Sequence, residues 1–153
     1  MSEHRASIAW TRSGEFRYES YSRSHSVDFG GGVGVPGSAA PANIPPGTST
    51  APGMDPEQAL VAALSACHML WFLHLACSRK YVVERYRDDA IGVLGKNAAG
   101  KEAIVRVSLR PEVSFTGTAP TPEQFHQLHE KAHQRCFIAN TVSCDIVLEP
   151  RIA

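Results

Sequence analysis

Four cysteines and seven histidines are the side chains of this 153-residue sequence with the widest chemical range. The cysteines stand at Cys67, Cys77, Cys136 and Cys144. A thiolate can attack an electrophile, bind a metal or close a disulfide. Four in a chain of this length are too sparse for a disulfide scaffold. Met1 to Trp10 carries charges and an alternating pattern rather than an apolar signal core. A reducing cytoplasm and mostly free thiols are therefore expected. Cys67 lies inside an apolar helical run, where an inert buried thiol is the plain reading, and Cys77 and Cys144 share it. Cys136 differs, because it stands where a polar helix ends and a new turn starts, and a helix N-terminus favours a thiolate.

His126, His129, His133 and Cys136 follow one another at spacings of three, four and three. On a helix they fall within an arc of about 80°. His129 and His133 have the i, i+4 spacing of zinc ligands. One metal cannot take all four, since His126 and Cys136 would be about 15 Å apart along the axis. The other reading is a polar face beside the apolar stripe of Phe125, Leu128 and Ala132. Three common sites are missing from the sequence: a phosphate loop, a G-x-S-x-G elbow and a C-x-x-C pair. Gly30-Gly31-Gly32-Val33-Gly34 lacks the Lys-Ser/Thr and the helix that a phosphate loop needs.

The elements that must position these groups are legible in outline. Ala6–Trp10 and Phe16–Tyr21 read as a hairpin turned at Ser13-Gly14, with a third strand at Ser26–Phe29. Residues 30–54 hold seven of the twelve glycines, five of the ten prolines and no charge, which reads as a long irregular loop and a candidate lid. Asp55-Pro56-Glu57-Gln58 opens a helix with an N-cap, a first-position proline and a capping-box Gln. The run continues to Cys77 and is apolar on nearly every side, as in a membrane span or a fully buried helix. Three polar residues inside it, Ser65, His68 and His74, favour burial, and a second copy would help to surround it. Tyr81–Arg85, Ala90–Gly95, Ala103–Phe115 and Ser143–Glu149 read as strands. Thr121-Pro122-Glu123-Gln124 opens a second helix, and Cys136–Asn140 a helical turn.

That order gives one α+β domain over residues 1–153, with much of its sheet antiparallel. Apolar residues form 43% of the chain and charged residues 20%, so a packed core rather than disorder is expected. Lys plus Arg balances Asp plus Glu at 15 each. No basic surplus exists for nucleic acid or for an anionic membrane surface, and neither partner is expected.

The helix opening, followed by Ala62-Ala63-Leu64-Ser65-Ala66-Cys67-His68, resembles the central-helix signature of the OsmC/Ohr family, the osmotically inducible and organic hydroperoxide resistance proteins. The family's second cysteine, some 65–70 residues on, is matched by Cys136 in His133-Gln134-Arg135-Cys136-Phe137-Ile138-Ala139-Asn140. The resemblance covers essentially the whole chain. It implies an OsmC-like fold, with mostly antiparallel sheets around a long buried central helix in an intertwined homodimer. It also implies a thiol peroxidase, with Cys67 peroxidatic and Cys136 resolving. Glu57 matches the active-site glutamate, which pairs with an arginine from the N-terminal strands. Arg12, Arg17 and Arg23 are the candidates, and Arg23 is preferred because it leads into the covering loop. Phe137 stands where the usual residue is proline, and His68 where it is phenylalanine, as in a distinct OsmC-like branch.

The implied cycle needs no cofactor beyond a dithiol reductant, in the family often a lipoyl group. An apolar pocket from Met69, Leu70, Trp71 or Phe137 would favour organic hydroperoxides. Glu57 and Cys67 are ten residues apart on one helix, roughly 15 Å, so Glu57 is expected to reach Cys67 across a dimer interface. The competing reading is a catalytically silent protein of the same fold, binding a small molecule or metal in a Cys/His-lined pocket.

Overall fold

The computed structural model describes residues 1–46, 48 and 53–153. The chain forms two compact units, Met1–Ala59 and Leu60–Ala153.

The first unit is an antiparallel meander of β1 (Ser7–Ala9), β2 (His25–Asp28) and β3 (Gly34–Gly37), in that order. Between β2 and β3 the chain turns through Gly30, Gly31 and Gly32, all at positive φ (82°, 63° and 80°), which residues with a Cβ rarely adopt. The Asp28 carboxylate closes that turn by accepting from the Gly30 N–H at 2.6 Å. Two sequence expectations change here. Ser7–Ala9 pairs with β2, not with residues 16–21. Those residues form a turn instead, in which the Ser20 and Tyr21 amides donate to the Arg17 carbonyl at 3.1 and 2.9 Å. Their aromatic residues gather on the surface: Phe16 and Tyr21 pack on Trp10 at ring distances of 5.6 and 6.2 Å. The alternation there serves this cluster rather than a ladder. The run 30–54 is also less irregular than its composition suggests, since it holds β3, a 3-10 turn at Pro41–Asn43 and a bridge from Gly37 to Met54. The lid expectation falls partly on residues 47 and 49–52, which lie outside the described residues.

Helix α1 (Pro56–Ser78) starts at the end of the first unit and runs into the second. Asp55 and Gln58 cap it reciprocally: the Gln58 N–H donates to the Asp55 carboxylate at 2.7 Å, and the Asp55 N–H to the Gln58 side chain at 3.2 Å. It ends where Lys80 takes a left-handed φ of 64° and the Tyr81 N–H donates to the Ala76 carbonyl. By length and composition α1 could cross a bilayer. Its buried stripe marks it as a core helix: Leu64, His68, Phe72, Leu75 and Ala76 recur at helical spacing. The expectation of burial on every side holds for this face only, and Leu70 on the other is 63% exposed.

Next come β4 (Val82–Asp88), β5 (Ile91–Lys96), β6 (Glu102–Leu109), β7 (Pro111–Thr116), α2 (Pro122–Arg135), β8 (Asp145–Leu148) and β9 (Arg151–Ile152). They build two three-stranded sheets, β4-β7-β9 and β5-β6-β8. The pairs β4–β7 and β5–β6 are antiparallel, while β8 and β9 join in parallel. Residues 103–115, expected as one strand, are two strands in different sheets. Pro111 has no N–H for a ladder, and the Arg110 N–H donates to the Asp88 carboxylate at 2.6 Å instead. At Gly92 on β5, an added Cβ would stand 2.6 Å from Val61 of α1, so glycine permits the close approach of strand and helix. The core has two clusters. Phe72, Leu75 and Ala76 of α1 pack with Val113, Phe125, Leu128 and Ala132 in one. Leu64 packs with Val107, Leu109 and Cys136 in the other.

Candidate functional site

The two cysteines singled out in the sequence meet in the second unit. Cys67 lies at mid-length of α1 and packs against the cluster that contains Cys136. Cys136 is the C-cap of α2, and its own N–H donates to the His133 carbonyl. Thr121 and Gln124 form a capping box at the start of that helix. After Cys136 the chain makes the expected helical turn, and the Asn140 N–H donates to the Cys136 carbonyl at 3.0 Å. This turn aims the Ala139 N–H at the Cys136 Sγ at 3.4 Å.

Cys67 and Cys136 belong to the same packed cluster, with Leu64, Val107 and Leu109 around them. Burial raises the pKa of Cys136 to about 11; the neighbouring Cys67 adds to the rise, and the Ala139 N–H only partly offsets it. Cys136 is fully buried, whereas Cys67 is half-buried and lines the open cleft, so Cys67 is the candidate nucleophile. All four cysteines are free thiols. Cys77 is exposed on the last turn of α1.

Beside Cys67 opens a cleft of about 500 Å³, lined almost wholly by apolar groups. One wall is α1, with Ala63, Ala66, Leu70, Trp71 and His74; the other is the Cys136 turn, with Phe137 and Ile138. Leu70, Trp71 and Phe137 were expected there, and Met69 does not line it. The Trp71 ring meets His74 and Phe137 edge-on, each at 5.7 Å. The Arg135 guanidinium lies 5.6 Å from the Trp71 ring. Arg135 was not singled out in the sequence; His74, read there as a polar residue favouring burial of the helix, is exposed and stands seven residues after Cys67, on the same helix face.

The polar face beside the buried stripe of Phe125, Leu128 and Ala132 is formed by His126, which is exposed, and His133, which is half-buried, but not by His129. Among the described residues no group of three or more His, Cys, Asp or Glu side chains could hold a metal ion. His129 turns inward and meets His68, with 2.9 Å between Nδ1 and Nε2. Both are buried, and the Phe72 ring stacks on His129 at 4.2 Å. Burial lowers the pKa of His68 to about 4 and that of His129 to about 3, and the neighbouring imidazoles add to the effect. Both rings are neutral at pH 7, so one donates and the other accepts.

The remaining site candidates lie at or before the start of α1. Arg23 is almost buried, and its guanidinium donates to the Tyr18 and Tyr21 carbonyls at 2.8 Å each. The Tyr21 ring lies 3.7 Å from it. Arg12 and Arg17 are exposed; Arg12 donates to the Gly14 carbonyl and Arg17 pairs with Glu15. Glu57 is half-buried in the first turn of α1.

Residues 47–151 match the family model of the OsmC-like protein. No curated protein matches the chain. Among solved structures, the OsmC-like protein of unknown function VCA0330 from Vibrio cholerae is 45% identical, over 99% of this chain and all of that one, with a TM-score of 0.94. An organic hydroperoxide resistance protein from Elizabethkingia anophelis shares the fold at 19% identity and a TM-score of 0.64, covering 99% of this chain and 97% of its own. The organic hydroperoxide resistance protein OhrB of Bacillus subtilis does so at 18% and 0.60, covering 96% and 98%.

Proposed function

This chain belongs to the OsmC-like protein family, and on that premise we propose that it is a thiol-dependent peroxidase that reduces organic hydroperoxides to alcohols. The observation that carries this reading is the meeting of Cys67 and Cys136 in one packed cluster beside an apolar cleft. The Cys67 thiolate attacks the terminal peroxide oxygen. The O–O bond breaks, the alkoxide leaves and takes a proton, and Cys67 becomes a sulfenic acid. The Cys136 thiol condenses with it, forming the disulfide and releasing water. Two thiols are thus oxidised by two electrons for each hydroperoxide reduced. An external dithiol, such as a lipoyl group, restores both thiols by exchange. Phe137, Leu70 and Trp71 give the organic part of the substrate an apolar seat.

Glu57 and Arg23 complete the proposed site by resemblance to the family, the guanidinium orienting the peroxide and the glutamate holding the guanidinium. Ten residues of continuous helix, roughly 15 Å, separate Glu57 from Cys67. We accordingly place the active sites at the interface of a homodimer, and the protein in the cytoplasm. Sedimentation of the purified protein as a monomer would count against the interface.

The test of the activity is a thiol count before and after one equivalent of an organic hydroperoxide. Wild type should lose two thiols, and Cys67→Ser none. Retention of all thiols by wild type would leave the silent binding protein as the reading. His74 in the wall of the cleft favours that alternative, since an imidazole there could anchor a polar group of a ligand.

A further inference from the structure

Helices α1 and α2 meet at two points that bear on the thiols. One is the cluster in which Cys67 packs near Cys136. The other joins the residue after Cys67 to the residue seven before Cys136: His68 Nε2 to His129 Nδ1, at 2.9 Å. Seven residues are two helical turns, about 10 Å along α2. The remaining packing between these helices is apolar: Phe72, Leu75 and Ala76 against Phe125, Leu128 and Ala132. Apolar contact is non-directional and tolerates sliding. A buried hydrogen bond does not, because it is lost over a fraction of an ångström to an ångström of displacement. Cys136 moves with α2, since its N–H is bonded to the His133 carbonyl.

We propose that His68 and His129 are positioning residues, whose hydrogen bond sets the register of α2 along α1 and so holds Cys136 where it can close a disulfide with Cys67. The site around them is built for one arrangement. Whichever ring donates, His68 Nδ1 and His129 Nε2 remain buried with no hydrogen-bond partner in the protein, as does His133 Nδ1 one turn further along α2. Three unpartnered polar atoms are a burden that apolar residues of equal size would remove at once. The pair is thus better explained by register than by stability, the best-attested use of buried polar groups.

The inference rests on Cys67 and Cys136 being a redox pair, but not on the oxidant being a hydroperoxide. The test therefore uses dithiothreitol. The protein dithiol and the cyclic disulfide of dithiothreitol exchange two electrons and two protons, giving the protein disulfide and the dithiol reagent. The equilibrium constant at pH 7 reports how well the two sulfurs are placed. Two double variants are compared with wild type. His68→Leu with His129→Leu keeps the volume and removes the bond. His68→Gln with His129→Asn puts amide atoms at the positions of Nε2 and Nδ1 and can restore it.

The leucine pair should shift the equilibrium about tenfold toward the dithiol, or about 30 mV in potential, with wild-type far-UV circular dichroism. The amide pair should stay within about twofold of wild type on the same scale. If the leucine pair does not fold, His129→Gln, which displaces the amide by one carbon, should give the same shift. A folded leucine pair with the wild-type constant overturns the inference, as does an equal shift in both double variants. A wild type that closes the disulfide against dithiothreitol yet ignores hydroperoxides, with the variants behaving as stated, upholds the inference and defeats the peroxidase reading. Failure of wild type to form any disulfide between these cysteines overturns both.

Discussion

His68 and His129 face each other ring to ring, 10° from parallel, with 2.9 Å between the bonded nitrogens and almost no solvent exposure. Burial keeps both rings neutral down to acidic pH. In the unfolded chain each has an ordinary pKa near 6.5. Below about pH 6.5 the unfolded state therefore binds more protons than the folded state, and stability must fall as the pH falls. The loss is spread between about 6.5 and 4 for His68 and ends where the folded state also protonates. At about 1.4 kcal/mol per pH unit, this span sets an upper limit of roughly 3 kcal/mol for His68. Urea unfolding from pH 7.5 to 4 should show that slope in wild type. His68→Leu with His129→Leu should flatten it; an unchanged slope would place the pH dependence elsewhere.

Removing only one of the two imidazoles should be worse than removing both. His68→Ala leaves a cavity beside Phe72 and strips the His129 Nδ1 of its partner. An unsatisfied buried polar group and a lost large side chain together cost about 2–5 kcal/mol. Denaturant midpoints of the single and double variants at pH 7.5 check this order. A double leucine variant less stable than His68→Ala would contradict it.

Cys136 is buried, and burial pushes its thiol pKa up to about 11, whereas Cys67 lines the open cleft, so oxidation should begin at Cys67. In Cys136→Ser no thiol remains to condense with the sulfenic acid. That variant should therefore accumulate a Cys67 sulfenic acid, seen by mass spectrometry as a dimedone adduct after stoichiometric hydroperoxide. Cys67→Ser should give no adduct at Cys136. An adduct at Cys136 would exchange the two roles.

The Thr121 hydroxyl accepts from the Gln124 N–H at 3.3 Å, while the Gln124 side chain accepts from the Thr121 N–H at 2.9 Å. Thr121→Ala removes half of this box and should cost about 1 kcal/mol. Thermal unfolding checks it. Because the cap lies at the far end of α2 from Cys136, thiol loss on oxidation should be unchanged at temperatures where the variant is folded.

Both helices were legible because their caps are local: Asp55 with Gln58, and Thr121 with Gln124, sit three residues apart. The meeting of Cys67 and Cys136 was legible only through the family motif, since nothing in 69 residues of separation encodes proximity. His129 was misread for a related reason. Its neighbours on the helix give it a polar face, but His68 on another helix gives it a buried partner. The strand break at Pro111 was available in principle, because proline lacks the ladder donor. The aromatic alternation at residues 16–21 misled, since period two fits a surface cluster with Trp10 as readily as a strand.

The cleft beside Cys67 should decide which peroxides are reduced. Its walls are apolar, and Trp71 and Phe137 meet edge-on across it. An alkyl or aryl hydroperoxide can displace water from these walls, whereas hydrogen peroxide has no apolar part to place there. Phe137 is 70% exposed, so its loss removes substrate contact with little effect on the core. Phe137→Ala should lower kcat/KM for cumene hydroperoxide by about tenfold, the range expected when a pocket loses an apolar contact. The value for hydrogen peroxide should change by less than about twofold on the same reasoning. Steady-state rates with a dithiol reductant measure both. An equal loss for the two substrates would mean that Phe137 acts on the thiol pair through the Cys136 turn, and the cleft would no longer account for substrate choice.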